Sequence, residues 1–167
     1  MKLLKSAIYT LSLFYLTAAS SMAQADTISF DKLVGSYKIA NCNHLNSFEP
    51  QPQDYYCHLK TITMTRKQDK SFILSYIDEL GQPGQEPTFT EHQKETEKYS
   101  DVAKFVEEEN VVRWQRAKNN KENGLYINEI YEFNHTQGGL RMQRSFTLYQ
   151  GDRFKHLIWD YLLEPVQ

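Results

Sequence analysis

Residues 125–163 read LYINEIYEFNHTQGGLRMQRSFTLYQGDRFKHLIWDYLL, and the alternation within them decides the fold. Leu125, Ile127, Tyr131 and Phe133 stand an even number of positions apart, so in an extended strand they share one face. Gly138-Gly139 then supplies a turn. In 140–149, Leu140, Met142, Phe146 and Leu148 oppose Arg141, Gln143, Ser145 and Thr147. After Gln150-Gly151-Asp152, residues 154–163 set Phe154, Ile158 and Leu162 against Leu157, Trp159, Tyr161 and Leu163. That strand is apolar on both faces, the pattern of a strand covered on both sides.

Working outward, 111–117 is a further strand, joined to this run through Asn123-Gly124, a pair suited to the positive backbone angles of a tight hairpin. Four strands on short turns predict a meander. Residues 58–66 and 71–78, around a turn at 67–70, predict a hairpin, and 36–42 a first strand with Tyr37 and Ile39 on one face. Gly81-Gln82-Pro83-Gly84 and Pro87 predict an exposed loop over 80–88. Residues 90–109 fit two forms: Glu91, Glu95 and Lys98 are spaced for a helix, while 99–106 suits a strand. The expected fold is all-β, an antiparallel up-and-down barrel of about eight strands, with an open antiparallel sheet or sandwich as the alternative.

The amino terminus reads differently. Lys2 and Lys5 precede an uncharged stretch from Ala7 to Ala19, followed by small and polar residues ending Ala23-Gln24-Ala25. This is the order of a cleavable secretory signal peptide, expected to form a helix over 1–25 and to be cut after Ala25. Its apolar stretch of about a dozen residues falls short of the roughly 20 that a membrane-spanning helix needs, so no stable anchor is expected after cleavage. The working chain is then a single β-rich domain over 26–167, secreted or periplasmic.

Of 19 basic residues two lie in the leader, and none of the 21 acidic residues does, leaving 142 residues with a net charge of −4. That balance, with no basic stripe, argues against nucleic acid as a partner. Cys42 and Cys57 both fall in the exported part, where thiols oxidise, and a disulfide between them is expected. It would close a loop of about 15 residues and stabilise the fold by about 3 kcal/mol.

Phe30-Asp31-Lys32-Leu33-Val34-Gly35-Ser36-Tyr37-Lys38-Ile39 resembles the opening of the lipocalin-like, or calycin, barrels. There a short apolar turn leads to Gly-x-Trp at the start of the first strand; this chain has Tyr37 in place of the Trp. The resemblance covers these ten residues and the strand count. It implies an interior able to hold one small apolar molecule.

Candidate site residues follow from alternation. Arg144 falls on the apolar face of its strand with Phe146, and would need Asp160 or Glu129 as partner, or would snorkel to a rim. His156, Ile158 and Asp160 share a face, lining either a cavity or the outer surface. Arg144, Phe146, His156, Ile158 and Asp160 are therefore the candidate ligand residues. No His-x-His, His-Glu-x-x-His or Gly-x-Ser-x-Gly occurs, so no metal, cofactor or catalytic function is expected. Two functions fit: an exported protein holding a small apolar or amphipathic ligand, or a protein-interaction module, such as an inhibitor of an extracellular or periplasmic enzyme, presenting the 42–57 loop.

Overall fold

A computed structural model describes residues 28–46, 55–86, 88–137 and 139–166; the expected leader helix at 1–25 lies outside them. Among the described residues ten strands form: β1 (Gly35–Asn46), β2 (Leu59–Arg66), β3 (Phe72–Asp78), β4 (Pro83–Gln85), β5 (His92–Glu95), β6 (Tyr99–Glu108), β7 (Val111–Asn120), β8 (Leu125–Thr136), β9 (Gly139–Gln150) and β10 (Arg153–Pro165). Two 3-10 turns, Phe30–Leu33 and Tyr55–His58, precede β1 and β2. All the strand pairings are antiparallel, in one sheet ordered β4-β3-β2-β1-β10-β9-β8-β7-β6-β5. The all-β expectation and the 111–163 meander hold.

The expected closed barrel does not form, because β4 and β5, the two edges, do not pair with each other. β4 lies within 80–88, expected as an exposed loop, and β5 within the ambiguous 90–109 stretch; the chain between them holds the reason for the open edge. From Pro83 to Phe89 the chain follows β3, with Glu86 N–H donating to Leu74 O at 2.9 Å and Phe72 and Phe89 exchanging bonds of 3.0 and 2.8 Å. It then crosses to β6, where His92 pairs with Ala103. The segment therefore bridges the gap as a strap, and spends its backbone bonds on β3 and β6 in turn. Gly84 is needed in β4, since a Cβ there would run into the ring of Tyr76. Residues 90–109 resolve as strands β5 and β6, so the helical option fails: Asp101 and Ala103 point to the packed face, an alternation of two.

That packed face is filled by the protein's own side chains. Phe30, Phe72, Phe89, Tyr131 and Phe133 are almost wholly buried, with ring centroids of neighbouring pairs 4.6 to 6.3 Å apart. The first 3-10 turn covers one end, its Phe30 meeting rings from β3, β6 and β8. Tyr37 is held against it by a 3.1 Å bond from its hydroxyl to Leu33 O. One cross-strand row on this face runs His44, Trp159, Arg144, Tyr131, Trp114, Phe105. An arginine thus stands in the middle of a line of rings. Cys42 and Cys57 form the expected disulfide, which ties the second 3-10 turn to β1 and indicates a non-reducing compartment.

Candidate functional site

The unpaired edge leaves a half-open groove of about 750 Å³ at its end nearest the first 3-10 turn. It is lined by Arg66, Asp69, Lys70, Ser71, Thr90, Glu91, Phe105 and Glu107. Three pieces of chain meet there: the turn from β2 to β3, the strap as it crosses over, and the end of β6.

Arg66 ends β2 on the face of Ile62 and Met64, so alternation sends it inward. Its guanidinium carbon lies 5.8 Å from the Phe30 ring centroid and 5.4 Å from that of Phe105, a cation held by two aromatic faces. Nε is 3.6 Å from the exposed carboxylate of Asp31. Nη1 is buried and has no hydrogen-bond partner among the described residues. A buried guanidinium N–H left unmet is costly, so the position of Arg66 is not explained by stability alone.

The β2–β3 turn fixes Ser71. Lys67 N–H donates to Ser71 O at 2.9 Å, Lys70 N–H to Lys67 O at 3.0 Å, and Ser71 N–H to Asp69 Oδ1 at 2.9 Å. Lys70 takes the left-handed conformation at φ 63°, unusual for a residue with a side chain. The hydroxyl and amide of Ser71 hold the Asp69 carboxyl below its ordinary range. The hydroxyl is buried.

The acidic side of the groove is half engaged. Glu91 Oε1 accepts Phe105 N–H at 3.0 Å, and Glu107 Oε1 accepts Phe30 N–H at 3.1 Å. Among the described residues the second oxygen of each carboxylate has no hydrogen-bond partner. Trp114 Nε1 donates to Thr90 O at 3.2 Å and pins the strap beneath. The groove thus offers cations, carboxylates, hydroxyls and one ring, which are groups that bind.

The residues expected to form a site do not come together. Arg144 and Phe146 lie on the packed face, while His156, Ile158 and Asp160 lie on the outer face, opposite Leu157, Trp159 and Tyr161. The reason is register: Trp159 pairs with Arg144, so its odd-numbered neighbours take the inside of β10. His156 Nδ1 is 2.9 Å from Thr147 Oγ1. Asp160 takes two bonds of 2.7 and 2.8 Å from Arg141, beside a dent of about 110 Å³. It is therefore not the partner of Arg144. Arg144 instead pairs with Glu86 at 2.8 Å and Glu129 at 3.2 Å, between the rings of Tyr131 and Trp159 at 5.1 and 5.0 Å. Burial pushes the Glu86 carboxyl up, against the pull of Arg144. Arg113 serves the outer face, 3.3 Å from Glu108 and 3.5 Å from Glu132.

A second polar cluster extends this one. Asp101, buried, accepts bonds of 2.8 and 2.6 Å from Arg116 and one of 3.0 Å from Tyr99, with His92 Nε2 at 3.0 Å. Arg116, then His92 and Tyr99, hold its carboxyl well below the usual range against its own burial. Arg116 faces Glu129 directly across β7 and β8. These groups satisfy one another, so they brace the packed face. Among the described residues no three His, Cys, Asp or Glu side chains are grouped to hold a metal ion. Nor does any helix there have the length and apolarity to cross a membrane. Of the 42–57 loop, residues 47–54 lie outside the description.

Arg66, Ser71, Glu91 and Glu107 are not among the site residues that alternation marks. Arg66 carried the same signal as Arg144, a charge at an inward position of an apolar strand. The others gave none, because the unpaired edge that brings them together is a tertiary feature. No protein-family model, curated protein or solved structure matches the chain.

Proposed function

We propose that this chain is an exported binding protein that takes a small amphipathic zwitterion, such as a short peptide, in the groove beside the open edge. The observation that carries the reading is Arg66: a partly exposed guanidinium set against the paired rings of Phe30 and Phe105, in the wall of a groove of about 750 Å³. That volume lies within the range of about 300 to 1,000 Å³ usual for small-molecule pockets. The ligand carboxylate goes to Arg66, its cationic group to the second oxygens of Glu91 and Glu107, and its apolar part to Phe105. The interior, expected from sequence to hold the ligand, is occupied by Phe72, Phe89, Tyr131 and Phe133, which favours the groove. Export is supported by the leader pattern and the disulfide. The protein acts by binding, without turnover.

Calorimetric titration with alanyl-phenylalanine, its N-acetyl form and its C-terminal amide tests this. The free dipeptide binds best; Arg66→Gln removes the advantage over the amide, and Glu91→Gln with Glu107→Gln removes the advantage over the acetyl form. No binding of the free dipeptide, or equal binding by Arg66→Gln, overturns the reading.

A further inference from the structure

The outer face of the meander is organised in rows. Tyr126 pairs with Tyr149, and Tyr149 with Phe154, so three aromatic side chains stand side by side on β8, β9 and β10. They are 38, 51 and 47% exposed. The next outer row is Asn128, Thr147 and His156. Neither row contains Asp, Glu, Lys or Arg, although charged residues make up 24% of the chain. Two rows further on, the same face turns charged: Arg113, Glu132 and Asp160. The concentration of rings at one end, with neutral amide and hydroxyl groups beside them, is thus a local feature of the surface.

From this juxtaposition we infer that the Tyr126–Tyr149–Phe154 row is a platform for a neutral oligosaccharide. Aromatic faces stack on the C–H faces of pyranose rings, and uncharged amides and hydroxyls exchange hydrogen bonds with sugar hydroxyls. Adjacent strands stand about 4.8 Å apart, so the three-residue row extends along roughly two sugar units of an extended glycan. An anionic membrane surface would call for Lys and Arg, absent from both rows. The row beside the rings offers amide, hydroxyl and imidazole groups instead of further apolar side chains, which suits a hydroxyl-rich ligand better than the apolar core of a protein interface. The platform is remote in the sheet order from the open edge between β4 and β5, so it works independently of the groove.

Titration of the full exported chain with cellohexaose and with chitohexaose, followed by amide NMR shifts, tests the inference. At least one hexasaccharide shifts the amides of β8, β9 and β10 with an affinity that is insensitive to salt. Tyr149→Ala, a change at an exposed position, weakens it at least tenfold, Tyr149→Phe retains it, and Arg66→Gln leaves it unchanged. The inference is overturned by no shift with either sugar, or by undiminished binding in Tyr149→Ala. It is equally overturned if Tyr149→Ala instead abolishes self-association or binding to phosphatidylglycerol vesicles, since the row would then serve those partners.

Discussion

Glu86 places Oε1 2.8 Å from Nη1 of Arg144, a residue 58 positions away in the chain, with both side chains buried. This contact draws the strap onto the packed face and sets what the sheet can enclose. Arg144 is held by two carboxylates and two rings, so truncating it strands Glu86 and Glu129 without a counter-charge. Arg144→Ala costs about 3–5 kcal/mol of stability in urea unfolding. Glu86→Gln costs less, since burial already works against its charge. Equal losses for the two would contradict the arrangement.

Phe89 fills the space between Trp114 and Tyr131, with centroid distances of 4.7 and 4.6 Å. Phe89→Ala removes about 3–5 kcal/mol, the usual cost of a cavity where a core ring stood. Hydrogen exchange at Phe72 and Glu86, whose amides bond along the strap, accelerates in the same variant. Unchanged protection there would mean that the strap is held by something other than this ring.

The leader aside, the sequence reveals the strands and their inward faces well, because alternation depends only on local order. Tyr131 and Phe133, and Leu140 and Met142, stand on the apolar faces that alternation marks, and all are buried. The last strand was apolar on both faces, so its alternation left the inward side open. Its register against Arg144 decided the matter and moved His156, Ile158 and Asp160 outside. Glu129 was legible as a partner of Arg144, whereas Glu86 was hidden in a stretch whose glycines and prolines say only that the chain turns. Closure could not be read for the same reason: it depends on where that stretch spends its hydrogen bonds.

Asp101 gives the fold a defined acid limb. Its folded pKa is depressed by Arg116, so its contribution is full above the unfolded value of about 3.9 and is lost as pH falls through the folded value. Glu86 has the opposite sign: its raised pKa adds stability at low pH that is lost as pH rises through the folded value. Thermal melts from pH 7 down to 2 therefore fall less steeply below about pH 4 for Asp101→Asn than for the parent chain. The substitution also lowers stability at neutral pH, by at most about 3 kcal/mol, because the partly exposed Arg116 loses its carboxylate partner. Parallel acid limbs would show that Asp101 is not held as described.

The Cys42–Cys57 bridge spans 15 positions of chain. Replacing both cysteines by serine lowers the unfolding free energy by about 3 kcal/mol in guanidinium titrations, and reductant has no further effect on that variant. A reductant effect equal in both proteins would place the stabilisation elsewhere.

The most direct measurement maps where a ligand sits. Amide NMR shifts during titration with alanyl-phenylalanine are expected at Lys70, Ser71, Glu91 and Phe105, while Met142 and Trp159 on the filled interior stay still. Shifts centred on Met142 and Trp159, with the groove silent, would show that the sheet admits its ligand inside and would contradict the account.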